Sequence, residues 1–247
     1  MSYRFLLSFR WIVLHLVVTL VVILFVNLGL WQLRRHNQVL TRNNLIVSRI
    51  AAEPELYEVI LDRYDLGALP VDSGAATYRR TVVTGYFDSE NEVLLRSRSR
   101  DGEPGWHVLT PLLMRSGQAL LVDRGWVPYE LDDTVLERAF PPIDRVNVIG
   151  TLMPGQIPRG RFSARDPPEG ELEAVFWVDL SRIEKQLSYD LEPLYLEMAT
   201  QDPPQKMLPL PPKEPELTNG PHLGYAIQWF AFSLIVLVGY GVLIRKT

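Results

Sequence analysis

Two charge-free apolar stretches near the ends of the chain constrain its fold more than any other feature. One extends from Trp11 to Leu33 and the other from His222 to Ile244. As α-helices rising 1.5 Å per residue, each would be about 34 Å long, enough to cross a hydrocarbon core of about 30 Å. We therefore predict membrane-spanning helices over residues 11–33 and 221–244, with both termini on one side and the intervening domain on the other.

The first stretch is expected to be a retained anchor rather than a cleaved signal peptide. Its apolar core is longer than the roughly 7–15 residues of a signal peptide, and the segment that follows offers no small-residue cleavage motif. Only ten residues precede it, too few for an organelle targeting sequence, which favours a bacterial plasma membrane. Basic residues flank the first helix on both sides, so charge alone leaves the orientation open.

The segment between the helices is acidic. Residues 34–220 hold all 29 acidic residues but only 21 of the 25 basic ones, a net charge of −8. Because neutralising phosphates supplies most of the affinity of nucleic-acid binders, we expect no nucleic-acid partner. The chain has no cysteine, which excludes disulfides, thiolate metal sites and cysteine nucleophiles.

After the first helix the pattern changes to that of short β-strands. Segments rich in β-branched and aromatic residues alternate with turn sequences, at 78–87, 92–96, 106–114, 119–126, 145–153, 174–180 and 194–198. This spacing predicts an antiparallel sandwich or small barrel over residues 34–202, and therefore an α+β chain with a membrane helix at each end.

We predict the conformation of three further segments that connect the strands and helices. Residues 67–76 are expected to form a loop, and Ser181–Leu187 a short helix with Ser181 as its N-cap. Residues 203–220 begin with six prolines in 203–215 and are predicted to be an extended spacer that leads into the second membrane helix.

The start of the second apolar helix carries the strongest chemical pattern. At 100° per residue, one helix face collects His222, Tyr225, Ala226, Trp229 and Ser233. An imidazole at the membrane edge, beside aromatic rings, is suited to binding haem iron while the aromatic side chains pack on the macrocycle. The other interpretation is an ordinary aromatic belt at the membrane interface. His36 follows the first helix on the same side of the membrane and is a possible second ligand.

Other chemistry has little support. The chain contains no G-x-S-x-G, no H-E-x-x-H and no glycine-rich phosphate loop, and its aspartates are too dispersed to single out a catalytic pair. Arg96, Arg98 and Arg100 alternate and would share one strand face. They are expected either to bind an acidic group or to form a solvated sheet surface.

Four segments together resemble the surfeit-locus (Surf) family of cytochrome c oxidase assembly proteins. They are LGLWQLRR at Leu28–Arg35, YRRTVVTGYFD at Tyr78–Asp88, VDRGWVP at Val122–Pro128, and HLGYAIQWF at His222–Phe230. They occur in the family's order between two terminal helices, which makes the set specific although no single segment is decisive.

The resemblance implies a non-enzymatic assembly factor that binds haem a and assists its insertion into the oxidase catalytic subunit. It implies that His222 is the position tied to haem a, with Trp229 in the same motif, and that the termini are cytoplasmic and the main domain extracytoplasmic. On this basis we expect His222 to ligate the iron in a cleft between the two helices, with Tyr225 and Trp229 as walls. We expect Arg35 or Arg124 to hold the propionates, and haem a synthase to be a further partner.

Two other functions stay open. One is a membrane-anchored scaffold that holds oxidase subunits through its β domain and binds no haem. The other is a membrane-anchored enzyme that uses a pair of carboxylates.

Overall fold

The structure is a computed structural model that describes residues 6–64, 74–132, 135, 138–158, 160 and 162–246. The chain divides into two compact units. The helix unit comprises Met1–Val47 and Pro215–Thr247, and the sheet unit comprises Ser48–Glu214. Only residues 74–76 of the loop expected at 67–76 lie within the described part of the chain.

The helix unit is built from two long apolar helices. They are α1 (Phe9–Ile50) and, after the shorter helices of the sheet unit, α4 (His222–Lys246). Both are long and apolar enough to cross a membrane, and only 6% of the most apolar window of each is buried. A largely exposed apolar helix is suited to lipid rather than to a soluble core. The α+β fold class with an apolar helix near each end is therefore confirmed.

Helix α1 continues well past the predicted membrane boundary at Leu33. No glycine or proline follows until Pro54, so the backbone hydrogen bonds continue to Ile50. At 1.5 Å per residue its 42 residues span roughly 60 Å, about twice a hydrocarbon core.

The described residues of the sheet unit include eight strands and, with their bounds described, two short α-helices. The strands are β1 (Glu55–Leu56), β2 (Arg80–Phe87), β3 (Val93–Arg100), β4 (Glu103–Met114), β5 (Ala119–Pro128), β6 (Val146–Pro154), β7 (Ala174–Val175) and β8 (Leu191–Asp202). The helices are α2 (Tyr57–Tyr64) and α3 (Leu180–Glu184), and a 3₁₀ turn covers Ser89–Asn91.

The sheet closes on itself. Its strand order is β1-β2-β6-β8-β5-β4-β3-β7, and β2 pairs additionally with β4, so β2, β6, β8, β5 and β4 form a ring. One edge of β4 pairs with β3 up to Leu109 and with β2 from Leu112. Pro111 lies at this change of partner, where its missing N–H costs little. The ring corresponds to the small barrel among the predicted architectures.

The sheet is mixed rather than purely antiparallel. β5 and β8 run parallel, with Val122 opposite Leu196 and Asp123 opposite Glu197. Two short pairs, β1–β2 and β3–β7, are also parallel. Periodicity reveals which segments are strands but not the direction of their neighbours, which is why this feature was not predicted.

Strand β5 is buried on both faces and separates two apolar clusters. One cluster includes Leu120 and Val122 together with α2 and residues of β6 and β8. The other includes Leu121 and packs beneath α3 and the 155–190 connection.

Two short elements differ from their predictions. Helix α3 is capped by Asp179, whose side chain accepts from the backbone N–H of Arg182, and not by Ser181. The strand predicted at 174–180 is reduced to Ala174–Val175, because its last residues form the cap and first turn of α3.

The proline-rich segment is held on the sheet along residues 203–214, which we name the strap. Trp126 and Leu210 exchange two backbone hydrogen bonds of 2.7 and 2.8 Å. Arg100 Nη1 donates to the carbonyl of Pro211 at 2.6 Å, and Lys213 pairs with Asp101 at 2.5 Å. Most of the predicted spacer at 203–220 therefore belongs to the sheet unit.

The strap depends on Gly125. Its φ of +119° is strained for other residues, and a Cβ there would lie 2.0 Å from the carbonyl oxygen of Leu210. Gly125→Ala should therefore lower the free energy of unfolding by more than the roughly 1–2 kcal/mol of a positive φ alone, because it also separates Leu210 from Trp126. Trypsin should then cleave after Lys213 faster than in the wild type.

Gly117→Ala is the matched control. Gly117 has a φ of +90° but nothing within 4 Å of an added Cβ. Gly117→Ala should be destabilised by the backbone strain alone, and the strap should stay attached to the sheet. Equal destabilisation and equal cleavage rates in the two variants would contradict this account.

Candidate functional site

The two long helices pack closely where the predicted ligand face lies. They run antiparallel, and a Cβ on Gly29 would lie only 2.7 Å from the ring of Phe230. On α4, Ala226 is 1% exposed and Ser233 is also buried. Small residues at these positions permit the close approach, as is common where membrane helices pack.

His222 is oriented by a residue of the first helix. Its Nδ1 lies 2.9 Å from Oε1 of Gln32, which is itself buried. With the amide oxygen as acceptor, Nδ1 is the donor, and the neutral imidazole in this orientation has its lone pair on Nε2. Among the described residues, no hydrogen-bond partner is recorded for Nε2. This arrangement is typical of metal-ligating histidines, which donate their other ring N–H to an oxygen.

Two neighbours of His222 leave space at the start of α4. Nothing lies within 4 Å of a Cβ placed on Gly224, and the side chain of Tyr225 is exposed. Tyr225 lies three residues after His222 and therefore on the same side of the helix, so its exposed ring is available to a flat ligand on Nε2. The residues present fit a haem ligated by one histidine.

Trp229 packs in the interface between the two helices. Its ring packs against Phe25 at 5.5 Å and Phe232 at 5.9 Å between ring centroids. With Ala226 buried and Gly29 against Phe230, this part of the interface is filled. Trp229 is half-buried in this interface, and its role as a wall of a haem cleft stays a prediction.

The two predicted site residues of α1, Arg35 and His36, lie about one helical turn after Gln32. His36 lies four residues after Gln32 on the same helix face, and its buried Nδ1 has no hydrogen-bond partner in the described part of the chain. Arg35 is exposed, and its nearest polar contact is Gln38 at 3.5 Å. Both stay predicted ligand-binding residues.

Two amide side chains that link the helices were missed as functional candidates. Gln32 orients His222, and Asn43 Nδ2 donates to the carbonyl of Thr218 and to Oδ1 of Asn219 at 3.1 and 3.0 Å. Gln32 lies inside the W-Q segment of the first motif, which was the available signal.

Arg124 is a structural residue and not a free propionate ligand. It is fully buried, and its guanidinium donates to Glu92 at 3.1 Å and to the carbonyl of Ala139 at 2.7 Å. Burial raises the pKa of Glu92, while the guanidinium opposes this shift. Removing either partner would leave an uncompensated buried charge, which is strongly destabilising.

The alternating arginines of β3 have separate roles. A bulge after Leu95, with Ser97 at a φ of 57°, interrupts the regular alternation. Arg96 lies between the rings of Trp106 and Phe176, and Arg100 binds the strap. Two of the three therefore stabilise the sheet unit.

A polar cluster across β4, β5 and β8 contains a carboxylate that the sequence did not single out. His107 Nδ1 lies 2.8 Å from Asp123 Oδ2, and Glu197 lies opposite Asp123 on β8. Burial, with the nearby Asp123 charge, raises the pKa of Glu197 to about 7, while His107 and Arg98 oppose the shift. Asp123 is buried and also accepts from the N–H of Gly125, which indicates a structural cluster.

Glu197 should make stability depend on pH. Because its pKa is raised in the folded state, its contribution is complete below about pH 4.5 and is lost as pH rises to about 7. At 1.36 kcal/mol per pKa unit, this amounts to about 3 kcal/mol. Glu197→Gln should flatten thermal stability between pH 5 and 8, measured on the full chain in detergent.

Glu103→Gln, at an exposed position of β4, is the matched control and should keep the wild-type pH dependence. If Glu197→Gln also keeps it, the folded-state pKa of Glu197 is close to its ordinary value and the prediction is wrong.

The sequence is similar to one known family of proteins. The model of the SURF1 family matches residues 19–234. A SURF1-like protein of Mycobacterium tuberculosis is 28% identical over 241 residues, covering 96% of this chain and 84% of the relative. A SURF1-like protein of Rickettsia felis is 25% identical over 239 residues, covering 94% and 97%.

A shorter match involves a protein whose name states a role. The cytochrome oxidase assembly protein SHY1 of Saccharomyces cerevisiae is 33% identical over 54 residues, which is 22% of this chain and 14% of the yeast protein. The family match, by contrast, extends over most of the chain and includes all four motifs. The chain therefore belongs to the SURF1 family, which confirms the resemblance drawn from those motifs.

Proposed function

We propose that this protein is a membrane-anchored assembly factor for cytochrome oxidase. Family membership over residues 19–234 supports this role, as does similarity to a yeast protein named for cytochrome oxidase assembly. The two apolar helices support the anchoring. The absence of the common hydrolase motifs favours assembly over enzymatic chemistry.

The cargo we propose is haem a, held by His222 and handed to the oxidase catalytic subunit. The single observation that carries this is the hydrogen bond from His222 Nδ1 to Gln32, which leaves Nε2 available to iron. Haem iron bound there would link the cargo to the protein by one ligand from α4. A single ligand at an exposed site suits transient binding better than two strong ligands.

Other side chains would orient the cargo. Gln32 holds the imidazole plane, and the exposed ring of Tyr225 offers a surface for the macrocycle. Arg35 is exposed and suited to a propionate, whereas Arg124 already binds Glu92. His36 is the candidate for a second iron ligand.

We further propose a bacterial plasma membrane location with cytoplasmic termini and an extracytoplasmic sheet unit. Haem a synthase and the catalytic subunit are then the partners that supply and receive the cargo. Both would have to reach His222 from the lipid-exposed side of α4.

The test is a visible spectrum of the detergent-purified full chain, co-expressed with haem a synthesis. We expect a haem a Soret band in the wild type and its loss in His222→Ala. Gln32→Leu should weaken haem retention by about 10–100-fold, since outer-sphere partners of ligating histidines have effects of this size.

His15→Ala is the matched control, because His15 is another helix histidine whose ring contacts Tyr240 rather than Gln32. It should keep the band. A folded wild type without any Soret band, or a His222→Ala variant that retains it, would refute haem binding at His222.

A scaffold that binds no haem is the second candidate, favoured by an aromatic pair on the sheet unit in which Tyr129 is exposed and Trp106 is half-buried. Trp106 and Tyr129 stack at 4.9 Å, and Tyr129 is 61% exposed. Aromatic side chains of this kind are enriched at protein interfaces.

Under the scaffold function, Tyr129→Ser should reduce co-purification of the catalytic subunit while His222→Ala leaves oxidase assembly normal. Tyr86→Ser, at another exposed tyrosine, is the control. Normal assembly in Tyr129→Ser together with failed assembly in His222→Ala would exclude the scaffold.

A further inference from the structure

The sheet unit contains a cavity that haem handover does not use. It has a volume of about 400 Å³ and lies between the 155–171 connection and helix α3. Pockets for small molecules commonly measure about 300–1,000 Å³, so it is large enough for one. Its lining includes Ile157, Arg165, Pro168, Trp177, Arg182 and Lys185.

Arg182 is the buried charge of this cavity. It is 7% exposed, its Nε donates to the carbonyl of Pro167 at 2.5 Å, and its Nη2 donates to the carbonyl of Gly170 at 2.7 Å. Nη1 is buried without a hydrogen-bond partner among the described residues. An unpaired buried donor on a charged group is costly unless a ligand satisfies it.

Two more cations line the same cavity. Neither Arg165 nor Lys185 forms an ion pair within the part of the chain that the structure describes, and both are exposed. Three cations without carboxylate partners around one cavity favour an anionic ligand.

The two carboxylates of the cavity are already engaged. Both oxygens of Asp166 accept from the N–H of Phe176, at 3.0 and 3.1 Å. Asp179 Oδ1 accepts from the N–H of Arg182 and from the Ser181 hydroxyl. Each therefore stabilises the surrounding backbone but keeps its negative charge, so the lining carries three cations and two carboxylates.

One wall is apolar and fixed. Trp177 Nε1 donates to the carbonyl of Ala164 at 2.7 Å, which holds the indole in place. Ile157 and Pro168 add apolar surface. A ligand with an apolar or aromatic body therefore has a surface on which to pack.

We propose that this cavity binds a small, soluble organic phosphate monoester. The phosphate pairs with Arg182, Arg165 and Lys185, and the organic part packs on Trp177. A phosphate monoester carries about −1.5 to −2 charges at pH 7, which matches a cluster of three cations better than a single carboxylate does. The cavity volume fits a whole small molecule, whereas a lipid would place only its headgroup there.

The experiment uses the full chain in phosphatidylcholine nanodiscs and phenyl phosphate as the probe, at constant ionic strength. We expect a saturable rise in Tm of the wild type, with inorganic phosphate binding more weakly because it lacks the ring. The double variant Arg165→Gln/Lys185→Gln should bind phenyl phosphate at least tenfold more weakly. Both residues are exposed, so the fold is preserved, whereas replacing Arg182 would also remove its bonds to Pro167 and Gly170.

The matched control is Arg115→Gln/Arg145→Gln, which removes the same charge from two exposed positions that do not line the cavity. It should bind phenyl phosphate like the wild type. Wild-type affinity in the cavity variant, equal loss in the control, or a Tm that never saturates would overturn the proposal.

Nanodiscs with added phosphatidic acid test whether the phosphate comes from a lipid. Unchanged affinity for phenyl phosphate supports a soluble ligand, and lost phenyl phosphate binding assigns the cavity to a lipid headgroup instead. None of these outcomes depends on haem binding at His222.

Discussion

The parallel pairing of β5 with β8 is the constraint on which the sheet unit depends. It places Val122 beside Leu196 and Asp123 beside Glu197, although more than 70 residues separate them. Antiparallel neighbours complete the ring, with β6 on one side of β8 and β4 on one side of β5. Because β6 and β8 are antiparallel neighbours, with Pro154 opposite Leu194, the long connection between them leaves and rejoins the sheet at the same end. It supplies β7, α3 and the apolar cover over Leu121, and it forms the wall of the cationic cavity.

The arginine, glycine and tryptophan of the VDRGWVP motif each have a structural role at a bulge in β5. Leu109 pairs with Asp123 and Val108 with Gly125, so Arg124 is the extra residue of a bulge. The bulge allows Arg124 to bind Glu92 inside the unit, while Gly125 admits the strap and Trp126 pairs with Leu210. This explains why an arginine that the motif suggested for ligand binding stabilises the fold instead.

The helix motifs have a different relation to function. LGLWQLRR contributes Gly29, which permits close packing against Phe230, and Gln32, which orients His222. HLGYAIQWF contributes the imidazole, the buried Ala226 and the packed Trp229. Residues from both ends of the chain are therefore required to define one imidazole orientation, and a change in either motif alters it.

Local sequence patterns are sufficient for the elements that depend on them. The apolar helices follow from composition and most strands follow from period-two alternation, while the role of His222 stays a prediction from its place at a helix start with aromatic neighbours. Only the tertiary structure decided strand direction, the burial of Arg124, the attachment of the strap, and the pairing of Gln32 with His222. Each of these joins residues far apart in the chain, and local periodicity carries no information about which distant groups meet. The same reason explains the cap of α3: Asp179 and Ser181 are equally good capping types, and packing of the 155–190 connection selects between them.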